Sequence, residues 1–253
     1  MATLQIPEVD LSSPNASEQL RKACTEVGFF YLVNHGIPQT LLSQVYAEMA
    51  NFFHQPAEEK QKVLANEYMR GYTIMNEETL DPDVQTQGDT KEGYYICRHV
   101  DLGSDEMKYP LHGPNLFPDG TKFPTFKKTT EAYHAAMCNL GFRVAQVFAE
   151  AAGAKGAFDA EGMFDKPMAA LRLLRYGAVK SDIQSGIFYK GEWIDVPPRA
   201  DAYIVNIGDM GERWTNGVFQ STRHRVVNIT GKERYSVPFF YEPNYTCTVE
   251  CFP

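Results

Sequence analysis

Apolar positions recur with helical spacing through the first 150 residues and as short strand-like runs after that, so the chain reads as helices followed by a β-core. Leu20, Ala23, Cys24 and Val27 fall at i, i+3, i+4 and i+7, which predicts an amphipathic helix from about Asn15 or Ser17 to Gly28. Phe29–Val33 follows as a buried strand. Leu42, Val45, Met49, Phe52 and Phe53 mark a second helix, and Pro56 with Glu58 and Glu59 opens a third, because proline and acidic residues suit a helix's first turn. The Gly-, Pro- and Asp-rich stretch 70–118 predicts loops with one strand at Gly93–Cys97.

From Pro124 to Ala152 the helical period persists through Phe126, Tyr133, Met137, Leu140, Val144, Val147, Phe148 and Ala151, and Gly153 ends it. Strands are then predicted at Leu171–Tyr176, Ile194–Val196, Ala202–Ile207, His224–Asn228, Arg234–Tyr241 and Cys247–Cys251. This order defines an α+β fold with a helical layer supporting an antiparallel sandwich. A helical and mixed region, 1–120, and a core region, 121–253, form one structural unit.

Composition narrows the partners. With 253 residues, 43% hydrophobic, the chain can bury one large core. A net charge of −8 without a run of Lys or Arg argues against nucleic acid or an anionic membrane and for a small-molecule partner. The N-terminus has no basic leader or apolar run and no apolar stretch is long enough to span a bilayer, so a cytoplasmic protein is the expectation, and a monomer is expected besides. Cys24, Cys97, Cys138, Cys247 and Cys251 lack metal or disulfide spacing and read as reduced, mostly buried thiols.

Motifs in the last quarter carry the chemistry: Trp193, Val196-Pro-Pro198, Val205-Asn-Ile-Gly-Asp209, Arg213-Trp-Thr-Asn-Gly217, His224-Arg-Val-Val-Asn228 and Arg234-Tyr-Ser-Val-Pro-Phe-Phe240. Upstream stand Ile6-Pro-Glu-Val-Asp10, Val33-Asn-His-Gly36, Arg70-Gly-Tyr72 and Lys91-Glu-Gly-Tyr-Tyr95. In this order they resemble the iron(II)/2-oxoglutarate-dependent oxygenases of the isopenicillin N synthase-like group, nearly end to end. The resemblance implies a double-stranded β-helix, or jelly roll, and oxidation of a small organic metabolite coupled to decarboxylation of 2-oxoglutarate to succinate. It also implies Fe(II) and 2-oxoglutarate as cofactors, with ascorbate in support. A His, a carboxylate and a second His leave three adjacent positions on an octahedral iron, two for the keto acid and one for dioxygen.

By that resemblance His224 matches the distal iron ligand, and Arg234 and Ser236 match the pair that grips the far carboxylate of 2-oxoglutarate. A guanidinium suits that task because it makes two parallel hydrogen bonds to a carboxylate. Tyr176 matches a tyrosine that reaches the same co-substrate. No catalytic residue is assigned.

The first two ligands are absent, because the stretch from Tyr176 to Trp193 contains no histidine. Two strands read as excised, and Ile187-Phe-Tyr189 running into Lys190-Gly-Glu-Trp193 places the excision at the Tyr189/Lys190 junction, with clean flanks that fit a skipped exon. The loss of about five buried side chains at ~1.5–3 kcal/mol each is on the order of 10 kcal/mol and predicts a marginal or rearranged fold with exposed strand edges. The chain is therefore expected to be inactive or strongly impaired. The alternative is a non-catalytic pseudoenzyme or splice product that binds a dicarboxylate or a protein partner.

Other candidates are weaker. His99-Val-Asp101 has the His-x-Asp spacing but precedes the long helix in a charged loop, so chance is the better explanation. Lys180 occupies the histidine position before Ser181-Asp182, and an ammonium cannot bind iron, so Asp182 is a poor ligand candidate. His35 reads as a structural turn residue, and His54, His112 and His134 as solvated.

Overall fold

A computed structural model describes residues 4–75, 90–180 and 185–252. In chain order the elements are β1 (Glu8–Asp10), α1 (Ala16–Glu26), β2 (Phe29–Val33), α2 (Gln39–Phe53), α3 (Ala57–Lys60), β3 (Gly71–Thr73), β4 (Lys91–Cys97) and α4 (Phe126–Ala151). There follow β5 (Pro167–Tyr176), β6 (Gly186–Tyr189), β7 (Glu192–Ile194), β8 (Tyr203–Asn206), α5 (Asp209–Trp214), β9 (His224–Arg225), β10 (Arg234–Ser236) and β11 (Phe239–Asn244).

The helices present their apolar stripes to one core. Leu20, Ala23 and Cys24 of α1 and Val45, Met49, Phe52 and Phe53 of α2 are buried, and both helices pack on α4. Phe52 is the hub: its ring lies 5.1 Å from Tyr94, 5.6 Å from Phe126 and 5.8 Å from Tyr72, so α2, β3, β4 and α4 meet there. Aromatic rings at such offsets add to the burial energy itself.

The strands form three sheets. β1 runs parallel to β2, which pairs antiparallel with β8. β5 is the long central strand of the second sheet, antiparallel to β4 on one side and to β10 and β11 on the other, with β3 beyond β4. The third sheet has the order β7-β6-β9. Among the described residues β8, β9 and β10 each end a sheet, and apolar side chains near those edges stay open: Ile204 is 43% exposed, Val226 48% and Ile229 46%.

The chain runs through the Tyr189/Lys190 junction, where the sequence reads as excised, in a regular hairpin. β6 and β7 form an unbroken hairpin, Tyr189 paired with Glu192, around the two-residue loop Lys190-Gly191 with φ of 48° and 89°. Two positive φ values in a row are what a type I′ turn requires, and that turn matches the strands' twist. Gly186 opens the hairpin at φ 127°, where a Cβ would sit 1.9 Å from the Ile194 carbonyl oxygen.

Four further expectations are corrected. Cys247–Cys251 is no strand; that segment runs irregularly to Phe252, whose N–H donates to the Trp214 carbonyl at 2.7 Å and whose ring stacks on that indole. The run Arg234–Tyr241 is two strands, split at Val237-Pro238 because proline has no N–H for the ladder. Of the thiols only Cys24 is buried and Cys251 is exposed. His112 is 4% exposed, held by the Pro110 carbonyl at 2.9 Å from Nδ1, while half-buried His134 donates from Nε2 to the Ala169 carbonyl of β5 at 3.1 Å.

Surface carboxylates set the response to acid. Hydrogen bonds hold several below the ordinary carboxylate range: Lys166 acts on Glu106, Asn244 on Asp165 and Arg199 on Asp201. A depressed folded value means that the unfolded chain takes up protons first as pH falls, so this stabilisation is complete near neutrality and is lost through the acid range. The melting temperature should therefore hold between pH 6 and 8 and fall progressively below about pH 4; a melting temperature flat down to pH 3 would contradict this.

Candidate functional site

β5 and β10 build the first part of the site. Their register sets Arg234 opposite Tyr176, Tyr235 opposite Arg175 and Ser236 opposite Leu174, and alternation along a strand sends Arg234 and Ser236 to one face and Tyr235 to the other. Tyr176 is 7% exposed, and the Arg234 guanidinium carbon lies 5.0 Å over its ring, within cation–π range. Nη1 of Arg234 is buried and has no hydrogen-bond partner among the described residues. A buried guanidinium N–H without an acceptor is costly, and a carboxylate is the group that relieves it best. Asn228, 2% exposed, steadies the turn before β10 by donating to the Gly177 carbonyl at 2.8 Å and the Lys232 carbonyl at 2.6 Å.

His224 lies on β9, in the other sheet, paired with Ile187 of β6. Its ring is exposed, meets the Phe29 ring edge-on at 5.0 Å, and holds the Thr222 carbonyl 3.0 Å from Nδ1. That bond fixes the tautomer with Nε2 free to accept, the form a metal requires. Among the described residues no group of three His, Cys, Asp or Glu converges on a metal position. The described residues thus show His224 as one candidate iron ligand and Arg234 as a donor suited to a carboxylate. Ser181 and Asp182 lie outside the described residues.

His99 and Asp101 are exposed and engage each other, Nε2 to Oδ1 at 3.2 Å, while His99 Nδ1 accepts from the Asn115 N–H at 3.1 Å. Both ring nitrogens serve the loop. His35 is a turn residue as expected, its Nδ1 accepting from the Ile37 N–H at 3.1 Å.

A buried ionic network behind β5 has no counterpart in the sequence reading. Glu92 of β4, 2% exposed, accepts from Lys60 Nζ at 2.6 Å, from the Tyr72 hydroxyl at 2.5 Å and from Arg175 Nη1 at 2.6 Å. Arg175 Nε donates to Glu233 at 2.7 Å, and His54 Nε2 reaches both Glu233 oxygens at 3.1 Å. Burial acts against the charged form of Arg175, but its bonds to Glu92 and Glu233 outweigh it and hold the guanidinium above its ordinary value. Glu233 is likewise desolvated yet held below the ordinary carboxylate range by Arg175 and His54.

Residues 6–120 match the family of non-haem dioxygenase N-terminal regions, and residues 160–243 match the 2OG-Fe(II) oxygenase superfamily. Azadirone synthase LFS of Melia azedarach is 31% identical over 288 residues, covering 100% of this chain and 86% of that protein. The 2-oxoglutarate-dependent dioxygenase citB of Monascus ruber is 32% identical over 287 residues, covering 96% of this chain and 86% of that one. A full-length Neurospora crassa protein, solved in complex with alpha-KG, superposes with a TM-score of 0.84 at 24% identity, covering 100% of this chain and 89% of its own. The chain belongs to the 2-oxoglutarate/Fe(II)-dependent oxygenase superfamily, whose members use Fe(II) and 2-oxoglutarate on a jelly-roll core and act on small molecules.

Two consequences follow for the fold. The retained elements keep the family arrangement, so the expected rearrangement is not observed. The alignment to the Melia synthase runs over 288 positions against 253 in the chain, so that relative carries at least 35 positions without a counterpart here.

Proposed function

We propose that this chain is an oxygenase-family protein that keeps the 2-oxoglutarate cradle and lacks a working iron site, and so binds a small dicarboxylate without oxidising a substrate. Arg234 anchors the far carboxylate with Ser236 beside it, Tyr176 packs under the guanidinium, and His224 is the one iron ligand left. The observation that carries this reading is the contrast between a buried, unpartnered Arg234 Nη1 and a candidate ligand, His224, at which no group of three ligands converges among the described residues. The absent segment precedes Gly186, in the connection from β5 to β6, which the intact β6–β7 hairpin supports. A longer form carrying that segment would be an oxygenase of a small organic metabolite, a reading favoured by the 35 or more unmatched positions of the Melia relative.

Calorimetric titration of the metal-free protein with 2-oxoglutarate tests the binding half of the proposal. Arg234→Ala should weaken binding at least ~100-fold, since a two-pronged charged contact of about 3 kcal/mol is lost. Affinity unchanged by that substitution would refute the cradle.

A further inference from the structure

We propose that Glu233 and Arg175 are positioning residues for Arg234, strapping β10 to β5 from the sheet face opposite the ligand. The proposal rests on reading Arg234 as the dicarboxylate anchor, but its mechanical part can be tested without any ligand. β10 has three residues and pairs only with β5 among the described residues, so its backbone ladder is short and open on one side. Short strands with few ladder bonds open locally at little cost, and a guanidinium that swings with such a strand cannot be preorganised for a carboxylate.

The strap supplies the missing constraint. Arg175 lies opposite Tyr235 and Tyr176 opposite Arg234, so Arg175 works on the face away from the Arg234 side chain. Its Nη1 is fixed to buried Glu92 at 2.6 Å, and Glu92 is itself tied to Lys60 of α3 and Tyr72 of β3. Arg175 is thus a rigid post. Its Nε then holds Glu233, the residue immediately before Arg234, at 2.7 Å, and His54 at the end of α2 holds the same carboxylate at 3.1 Å. Five elements fix the position of one side chain adjacent to the cradle, and none of these groups needs to touch the ligand.

The test compares the full-length chain with its Glu233→Gln variant, which keeps the shape and removes the charge. Residue-resolved amide exchange should quicken at least ~10-fold at Tyr235 and Ser236 while Phe240 and Tyr241 of β11, on the same β5, stay protected. Affinity for 2-oxoglutarate should fall about tenfold with the melting temperature nearly unchanged. Unchanged exchange in β10, or equal acceleration in β10, β11 and β4, would overturn the proposal, the second because it marks a general stabiliser. Faster β10 exchange in a protein that never binds 2-oxoglutarate would uphold the strap and refute the cradle reading instead.

Discussion

Supplied with Fe(II), 2-oxoglutarate, ascorbate and dioxygen, this chain should release succinate at least ~10³-fold more slowly than an intact relative, a deficit of about 4 kcal/mol or more in the barrier. The reason is coordination. Iron chemistry of this kind needs three protein ligands on one face of the metal, and among the described residues no group of three candidate ligands converges. The same account predicts what restores activity: a His-x-Asp-bearing segment of two strands inserted between Lys180 and Gly186 should bring turnover back, and His224→Ala should then abolish it. The same segment placed between Tyr189 and Lys190 should fail, because it would part β6 from the Lys190-Gly191 loop and break the β6–β7 hairpin. Recovery from the second insertion only would show that the missing strands belong where the hairpin now stands.

Glu92→Ala should be the most damaging single substitution outside the site. It would strip the partner from a Lys60 side chain only 10% exposed and leave Arg175 and Tyr72 without their shared acceptor. Breaking one side of a buried ion pair costs ~3–5 kcal/mol, a large share of the roughly 5–15 kcal/mol of an ordinary domain. The melting temperature should drop on the order of 10 °C, whereas Glu92→Gln, which keeps an acceptor oxygen, should lose less. A loss below about 1 kcal/mol for the alanine variant, measured by urea unfolding, would mean that the network is incidental.

The helices and most strands were legible because burial follows periodicity. α4, read as 124–152, is observed at Phe126–Ala151, and Phe29–Val33 is a strand as its unbroken apolar run implies. What escaped had identifiable causes. α5 is six residues with a glycine inside, too short for its period to register. Cys247–Cys251 alternates like a strand, but no neighbouring strand among the described residues accepts it, and stacking of Phe252 on Trp214 directs that segment instead.

The hairpin at the expected excision point is the most instructive difference. Ile187-Phe-Tyr189 running into Lys190-Gly-Glu-Trp193 read as a junction between joined ends, while Gly191 between two apolar runs was the local hint of a hairpin. The Glu92 network could not have been read at all: its members are 20, 32 and 83 residues from Glu92 along the chain, and only the fold brings them together. For the site, motif order proposed Arg234, Ser236, Tyr176 and His224. That the Arg234 cradle is held from behind became visible only in the register of β5 and β10.

The most direct test of the central claim is an anaerobic titration of the purified chain with 2-oxoglutarate, followed by Fe(II), read by calorimetry and by visible absorption. A scaffold with its carboxylate anchor but one metal-facing imidazole should take up the keto acid and develop no metal-to-ligand charge-transfer band. A band of ordinary intensity, with succinate formed once air is admitted, would mean that other side chains complete the iron site.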